Sequence, residues 1–312
     1  MIQRLELTGP RNRIRSVACA DIEGRGHAVA SDDDGLVWVW DLTDGSKRHT
    51  LNVYSQPICA VACVEVDGRP HAVTGGSDRS VRLWDLTDGS DRAFFSGHIA
   101  EVGAVACTQI DGRAYAVSGG EDGRIFLWDL ANETKHLLNG EYDYMGTESI
   151  ACTMIDGRPH AVIGGRRMMQ VWDLAAGSRR AKLSTPSKYT ESVVCLEIDG
   201  RPHAVSVGND GKGRMWNLAT GFRRGELIGH DGPAHSVACA QIEGNQYAVT
   251  TGRDESVRLW DLRGKSQVAL LMQAPRRTYH AAVVHGDDLL LASWSQIRVF
   301  TLDADWLGTL SE

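Results

Sequence analysis

No stretch of this 312-residue chain is apolar for long enough to cross a bilayer. Its first segment, Met1-Ile2-Gln3-Arg4-Leu5-Glu6-Leu7, lacks the apolar core of a secretion signal. The expectation is a cytoplasmic protein with no membrane partner. Basic residues are not in excess: 33 Lys and Arg stand against 40 Asp and Glu, a formal net charge of −7. A nucleic-acid partner, which calls for a basic surplus, is therefore not expected. Sustained helical periodicity is missing. No cysteine pair has C-x-x-C spacing, so there is no zinc motif. Nucleophile elbow, P-loop and dinucleotide fingerprint are missing too, which weighs against catalysis. No cofactor is expected.

What the chain does have is glycine, 34 residues of it, enough for many tight turns. It also has tryptophan at a fixed interval. Trp40, Trp84, Trp128, Trp172, Trp216 and Trp260 stand 44 residues apart. Asp41, Asp85, Asp129, Asp173 and Asp261 follow five of them, and Asn217 the sixth. A seventh, eroded copy reads Ile297-Arg298-Val299-Phe300-Thr301-Leu302, with Phe300 in the Trp place. Within one unit an apolar stretch ends in Ala104-Val105-Ala106-Cys107, and Ile110-Asp111-Gly112-Arg113 makes a turn. Tyr115-Ala116-Val117-Ser118 forms the next strand, Gly119 to Gly123 another turn, and Arg124 to Asp129 the Trp strand. A last strand lies near Lys135 to Leu138. Short β-branched and apolar runs between Gly, Asp and Pro predict four strands per unit. A four-stranded unit of this length is the signature of a propeller blade.

In these in-register Trp-Asp units the chain resembles the WD-repeat proteins, and among them the bacterial kind with near-identical tandem units. The resemblance covers almost the whole chain. It implies an all-β, seven-bladed β-propeller with four antiparallel strands per blade, one domain over residues 1–312. The blades fall at about 11–53, 54–97, 98–141, 142–184, 185–228, 229–272, and 273–302 plus 1–10. The strand from Gln3 to Gly9 stands before Cys19 as the strand ending at Gly97 stands before Cys107. The N-terminal strand is thus expected to close the last blade, removing an open edge and favouring a monomer. The tail around Trp306 would then pack outside it.

The resemblance also marks an Asp six residues before each Trp: Asp34, Asp78, Asp122, Asp210 and Asp254. The fourth repeat has Arg166-Arg167 there, in a turn one residue shorter. Only two repeats carry the family's Gly-His pair, so the buried His–Ser/Thr–Asp–Trp set is complete twice, as His98, Ser118, Asp122, Trp128 and as His230, Thr250, Asp254, Trp260. On paper these sets look like catalytic triads. Their recurrence by repeat, and the need to pair buried polar groups, make them structural. Cys19, Cys63, Cys107, Cys152, Cys195 and Cys239 share one repeat position, too far apart around a ring for disulfides, and read as small core residues. His27, His71, His160 and His203 share another, filled elsewhere by Tyr115 and Tyr247, and serve the blade.

Function belongs where the copies disagree. The turns after Ile-Asp-Gly-Arg and Trp-Asp-Leu are stereotyped and form one end; the loops of the other end vary. In WD-repeat relatives partner contacts concentrate there at three positions. Four residues before the repeated Cys stand Arg15, Cys59, Gly103, Glu148, Glu191, His235 and His280. Six before it stand Arg13, Pro57, Glu101, Gly146, Tyr189, Pro233 and Thr278. Before the Asp stand Asp33, Ser77, Glu121, Asn209 and Arg253, with Arg166 and Trp294 as equivalents. Tyr142, Tyr144, Tyr189, Tyr279 and Trp294 would supply an aromatic wall. The reading is a rigid scaffold docking a protein or peptide on this end, since aromatics and Arg anchor interfaces. The alternative is a small-molecule or metal pocket, even an enzyme, using Glu148, Glu191, His235 and His280 at the channel mouth. Arg11, Arg13, Arg15, Arg276 and Arg277 oppose Glu141, Asp143, Glu148 and Glu191, which suits a partner of mixed charge.

Overall fold

The structure is a computed structural model that describes residues 2–52, 56–139, 146–273, 279 and 281–302, without the side chains of Ile2 and Arg167. Every regular element among them is a strand. No helix is long and apolar enough to cross a membrane.

After β1 (Ile2–Leu7) come β2 (Ile14–Ile22), β3 (Arg25–Asp32), β4 (Leu36–Asp41) and β5 (Lys47–Asn52), paired in that order as one antiparallel sheet. The next sheets are β6 (Ile58–Val66), β7 (Arg69–Gly76), β8 (Ser80–Asp85), β9 (Asp91–Ser96), and then β10 (Val102–Ile110), β11 (Arg113–Gly120), β12 (Ile125–Asp129), β13 (Thr134–Leu137). A six-stranded sheet follows: β14 (Thr147–Ile155), β15 (Arg158–Asp173), β16 (Ser178–Ile198), β17 (Arg201–Gly208), β18 (Lys212–Asn217), β19 (Arg223–Ile228). Then come β20 (Ala234–Ile242), β21 (Asn245–Gly252), β22 (Ser256–Asp261), β23 (Ser266–Gln273), and last β24 (Ala281–His285), β25 (Asp288–Ala292), β26 (Ile297–Thr301). β1 pairs antiparallel with β26, from Ile2 opposite Thr301 to Leu7 opposite Ile297. Repeated four-stranded antiparallel sheets are the architecture of a propeller with six or seven blades.

The repeated Ile-Asp-Gly-Arg segments fold as two-residue hairpin turns. Asp111 and Gly112 have φ of 49° and 75°, and the equivalent pairs Glu23-Gly24, Asp67-Gly68, Asp156-Gly157, Asp199-Gly200 and Glu243-Gly244 are also left-handed. Two positive φ angles make a type I′ turn, whose twist matches that of the flanking strands and fixes their register. Ile110 therefore faces Arg113.

Apolar clusters fill the spaces between consecutive sheets. Ile22, Val29 and Val39 meet Ile58, Ala72 and Trp84, and further clusters join each sheet to the next. One joins the chain ends, where Leu7, Ile14, Trp38 and Trp40 pack on Leu290, Ile297 and Val299. Each of the six repeated cysteines packs against such a cluster as a free thiol. Burial pushes Cys63, Cys152 and Cys239 up to about 12, so these thiols are unreactive.

Both four-membered sets form. Trp128 Nε1–H donates to Ser118 Oγ at 2.8 Å, and the Ser118 hydroxyl donates to His98 Nε2 at 2.8 Å. His98 Nδ1–H donates to Asp122 at 3.1 Å. The second set repeats this, with Trp260 to Thr250 at 2.8 Å, Thr250 to His230 at 2.7 Å and His230 to Asp254 at 3.0 Å. Ser118 and Thr250 are fully buried, each with its oxygen already shared by two partners, so neither is presented to a substrate. Burial keeps His98 below its ordinary value against the pull of Asp122, which suits a neutral ring that accepts on one nitrogen and donates from the other.

Two expectations are corrected. In the first repeat Asp34 is not the turn residue: Asp32 accepts Trp38 Nε1–H at 2.7 Å and the backbone N–H groups of Asp34 and Leu36, while exposed Asp34 accepts from Asn12. Five other repeats have Gly at the Asp32 position, and in two of them a His–Asp pair fills the space. A Cβ at Gly120 would stand 2.8 Å from both His98 Nδ1 and an Asp122 oxygen. The first repeat has no such His, and the space is free. The second correction concerns Arg166-Arg167. Without an Asp-Gly turn the chain runs straight through, so β15 pairs with β14 in its first half and with β16 in its second, and β16 goes on to pair with β17. Two four-stranded units are thereby fused. The first correction is testable by urea unfolding: Asp32→Ala should lose about 1–3 kcal/mol, the scale of buried groups stripped of a partner, and Asp34→Ala less than about 0.5 kcal/mol.

Candidate functional site

In a strand of strict period two, Val102 and Val105 would face opposite sides. Both lie in one apolar cluster, and so do Ile14 with Val17, Ile58 with Val61, and Ala234 with Val237. The register shows how. Each first strand shifts by one residue near its start, between Ile14 and Ser16, Ile58 and Ala60, Val102 and Ala104, Thr147 and Ser149, Thr190 and Ser192, and Ala234 and Ser236. The skipped residues are Arg15, Cys59, Gly103, Glu148, Glu191 and His235. A β-bulge re-aims the extra residue and leaves it out of the ladder. The sequence position four before the repeated Cys is therefore a bulge in six repeats.

All six bulge residues line one cavity of about 350 Å³. Arg13, Glu101 and Gly146 from the position two residues earlier line it too, with Glu121 and Arg166 from the following turns. Thr147 also lines it, which the sequence reading missed. Carboxylates come from the third to fifth repeats, and Arg13, Arg15 and His235 from the first and sixth. The cavity is polarised. Burial lifts the Glu148 carboxyl above its ordinary 4.5, and the charges of Glu191, Glu121 and Glu101 push the same way against Arg166. Burial raises Glu191 as well. On the other side burial lowers His235, reinforced by the charges of Arg13 and Arg253. Arg15 forms an ion pair with Asp33. Ser77 donates to Glu101 at 2.6 Å and lies 3.4 Å from the Cys59 sulfur. The Arg13 Nε is buried with no hydrogen-bond partner among the described residues.

A layer of serines beneath the cavity went unread in the sequence, although it occupies one repeat position. Ser149, Ser192 and Ser236 accept the backbone N–H of Val193, Val237 and Ala282 in the next repeat, at 3.0, 3.3 and 3.1 Å. These bonds clip successive first strands together around the site.

Other candidates fall elsewhere. Tyr189 lies outside the cavity wall with the guanidinium of Arg166 5.3 Å from its ring centre. Trp294 is 61% exposed and its carbonyl accepts from the Ile14 N–H at 2.7 Å. Arg253 is exposed. Tyr279 is corrected: it is buried between the last two sheets and donates its hydroxyl to Met272 Sδ, so it cannot form part of an aromatic wall. Tyr142, Tyr144, His280, Glu141, Asp143, Arg276, Arg277, Thr278 and the tail 303–312 lie outside the described residues. Among the described residues no three His, Cys, Asp or Glu side chains are grouped to hold a metal ion.

Because Glu148 holds its proton to higher pH when folded than when unfolded, its contribution favours folding below 4.5 and is lost as the pH rises through the raised value. Glu148→Gln should accordingly raise stability at neutral pH by about 0.2–1 kcal/mol, the scale of a charge interaction at an open site. Thermal unfolding should show that gain vanish below pH 4.5.

The model of the family described as "WD domain, G-beta repeat" matches residues 45–85, 89–129 and 221–261. Each match starts beside the fourth strand of one sheet and ends on the Trp strand of the next. No curated protein matches the chain. These three matched units are WD repeats, and they carry the same Trp-Asp register as the rest of the chain.

Proposed function

We propose that the chain is a rigid scaffold that docks a protein or peptide on the end bearing the polarised cavity, and that it works as a cytoplasmic monomer. The scaffold is read as one seven-bladed propeller over residues 1–312, with the six-stranded sheet counted as two fused blades. The β1–β26 pairing and the cluster uniting the first and last sheets support a closed ring. A closed ring is stiff and leaves no sheet edge at its seam.

One observation carries the docking reading: carboxylates of the third to fifth repeats, arginines of the first and fourth and the His235 ring of the sixth converge on a single cavity. Such convergence is costly in self-repulsion among carboxylates, and a partner of complementary charge relieves it. Arg166, Tyr189, Arg253 and the exposed Trp294 are proposed as the surrounding contacts, since Arg and aromatic side chains dominate interface energetics. His280, one of the four residues of the metal alternative, lies outside the described residues.

Photo-crosslinking tests this. A crosslinker at position 294 should capture a defined partner, and Arg13→Glu should reduce that capture at least about tenfold, equivalent to about 1.4 kcal/mol. A crosslinker at exposed position 154, at the other end of the strands, should not capture it. Equal capture at both positions would overturn the reading.

A further inference from the structure

At the stereotyped end of the strands, arginines at two repeat positions have carboxylate partners. Arg25, Arg69 and Arg158, which open the second strand of their units, pair with the Asp after Trp: Asp41 at 3.3 Å, Asp85 at 3.3 Å and Asp173 at 3.0 Å. Arg48, Arg92 and Arg180, eight residues after Trp, reach Glu23 at 3.1 Å, Asp85 and Asp88 at 2.7 Å, and Asp156 at 2.8 Å.

The repeat around Trp216 keeps both arginines, as Arg201 and Arg224, and loses both carboxylates. Asn217 replaces the Asp. Asp199, the counterpart of Glu23 and Asp156, is held at 2.5 Å by Arg263 of the next repeat. The positions equivalent to Arg263 are Thr43, Thr87, Ala131, Ala175 and Ala219, so no other repeat makes this capture. Arg224 instead meets the Nε2 of His203 at 3.2 Å. Among the described residues, neither Arg201 nor Arg224 has a carboxylate within ion-pairing distance. Both line a cavity of about 540 Å³ together with Asp199, His203, Asn217, Phe222 and Arg223. Phe222 is 76% exposed and stands where four other repeats have Ser46, Ser90, Ser178 and Ser266.

Of the charged groups facing the cavity, Asp199 is offset by Arg263 and Arg223 by Glu226, so Arg201 and Arg224 leave room for a ligand of about two negative charges. A phosphate monoester carries about that charge near neutral pH, and guanidinium forks match its oxygens. An exposed phenyl ring beside the cations offers an apolar face to an organic group. The volume is that of a small-ligand site. We propose that this cavity is an oxyanion site for a small aromatic phosphate monoester, with Arg201 and Arg224 holding the phosphate and Phe222 against the ligand ring.

Calorimetric titration of the full chain with phenyl phosphate, inorganic phosphate and phenylacetate tests the assignment. Asn217→Asp and Phe222→Ser restore residues that sibling repeats already fold around. Phenyl phosphate should bind saturably. Asn217→Asp, and separately the pair Arg201→Gln with Arg224→Gln, should weaken it at least about tenfold. Phe222→Ser should leave phenyl phosphate no tighter than inorganic phosphate. Absence of saturable binding, or unchanged affinity in Asn217→Asp, would overturn the site. Phenylacetate binding as tightly as phenyl phosphate would overturn the choice of phosphate.

Discussion

Apolar packing between sheets demands that the residues two and five before each repeated Cys face the same side, and a strand of period two cannot satisfy that demand. One additional residue in each first strand resolves the conflict. It lets Val102 join Val105, and Ile58 join Val61, in their clusters. It also expels one side chain per repeat from the ladder. The cavity of Arg15, Cys59, Glu148, Glu191 and His235 is thus a by-product of core packing: the position is left out of the ladder in six repeats, and its residue type varies, although a Cβ at Gly103 would stand 2.8 Å from the Thr147 carbonyl oxygen. The same core that needs the bulge does not itself constrain the site residue, which explains how near-identical repeats present Arg, Cys, Gly, Glu and His at one offset.

The regular parts of this molecule were legible because they repeat. Trp spacing revealed the units, and Asp-Gly pairs revealed hairpins that fold as type I′ turns. Offset from the Cys picked out the residues that line the cavity, although nothing in the sequence named the bulge that aims them. The irregular parts were not legible. Asp32 takes the turn role from Asp34 by accepting the Trp38 indole N–H and two backbone N–H groups, where five other repeats have Gly, an exchange with no local signal. The loss of an Asp-Gly turn at Arg166-Arg167 was visible, but its result, two strands running on to fuse two units, depends on pairing with Tyr189 across the sheet. Tyr279 looked like a loop aromatic and is core, since apolar surface between the last two sheets claims it. The serine layer was visible as a repeat position, yet its meaning lies in a bond to the next repeat.

The two ends of the strands diverge by different routes. At the cavity end nearly every repeat differs, and the charges sort into an acidic and a basic side. At the other end the first, second and fourth repeats agree, the third and sixth lose arginines to His136, Asn245 and Val268, and around Trp216 Asn217, Phe222 and the capture of Asp199 by Arg263 change one unit together. Coordinated departure in a single copy is the stronger sign of a local ligand, while graded variation around a rim suits a broad partner surface. Both depend on the sheet frame staying fixed, which the inter-sheet clusters and the serine clips provide.

That first-repeat and sixth-repeat bulge regions meet across one cavity is the claim on which the rest stands. The most direct measurement is an NMR titration of the His235 ring with and without Arg13→Gln. Burial and the nearby Arg13 charge place His235 below 6.5, so removing that charge should move its pKa upward toward 6.5. An unchanged His235 titration would mean that these side chains, far apart in sequence, do not share a cavity.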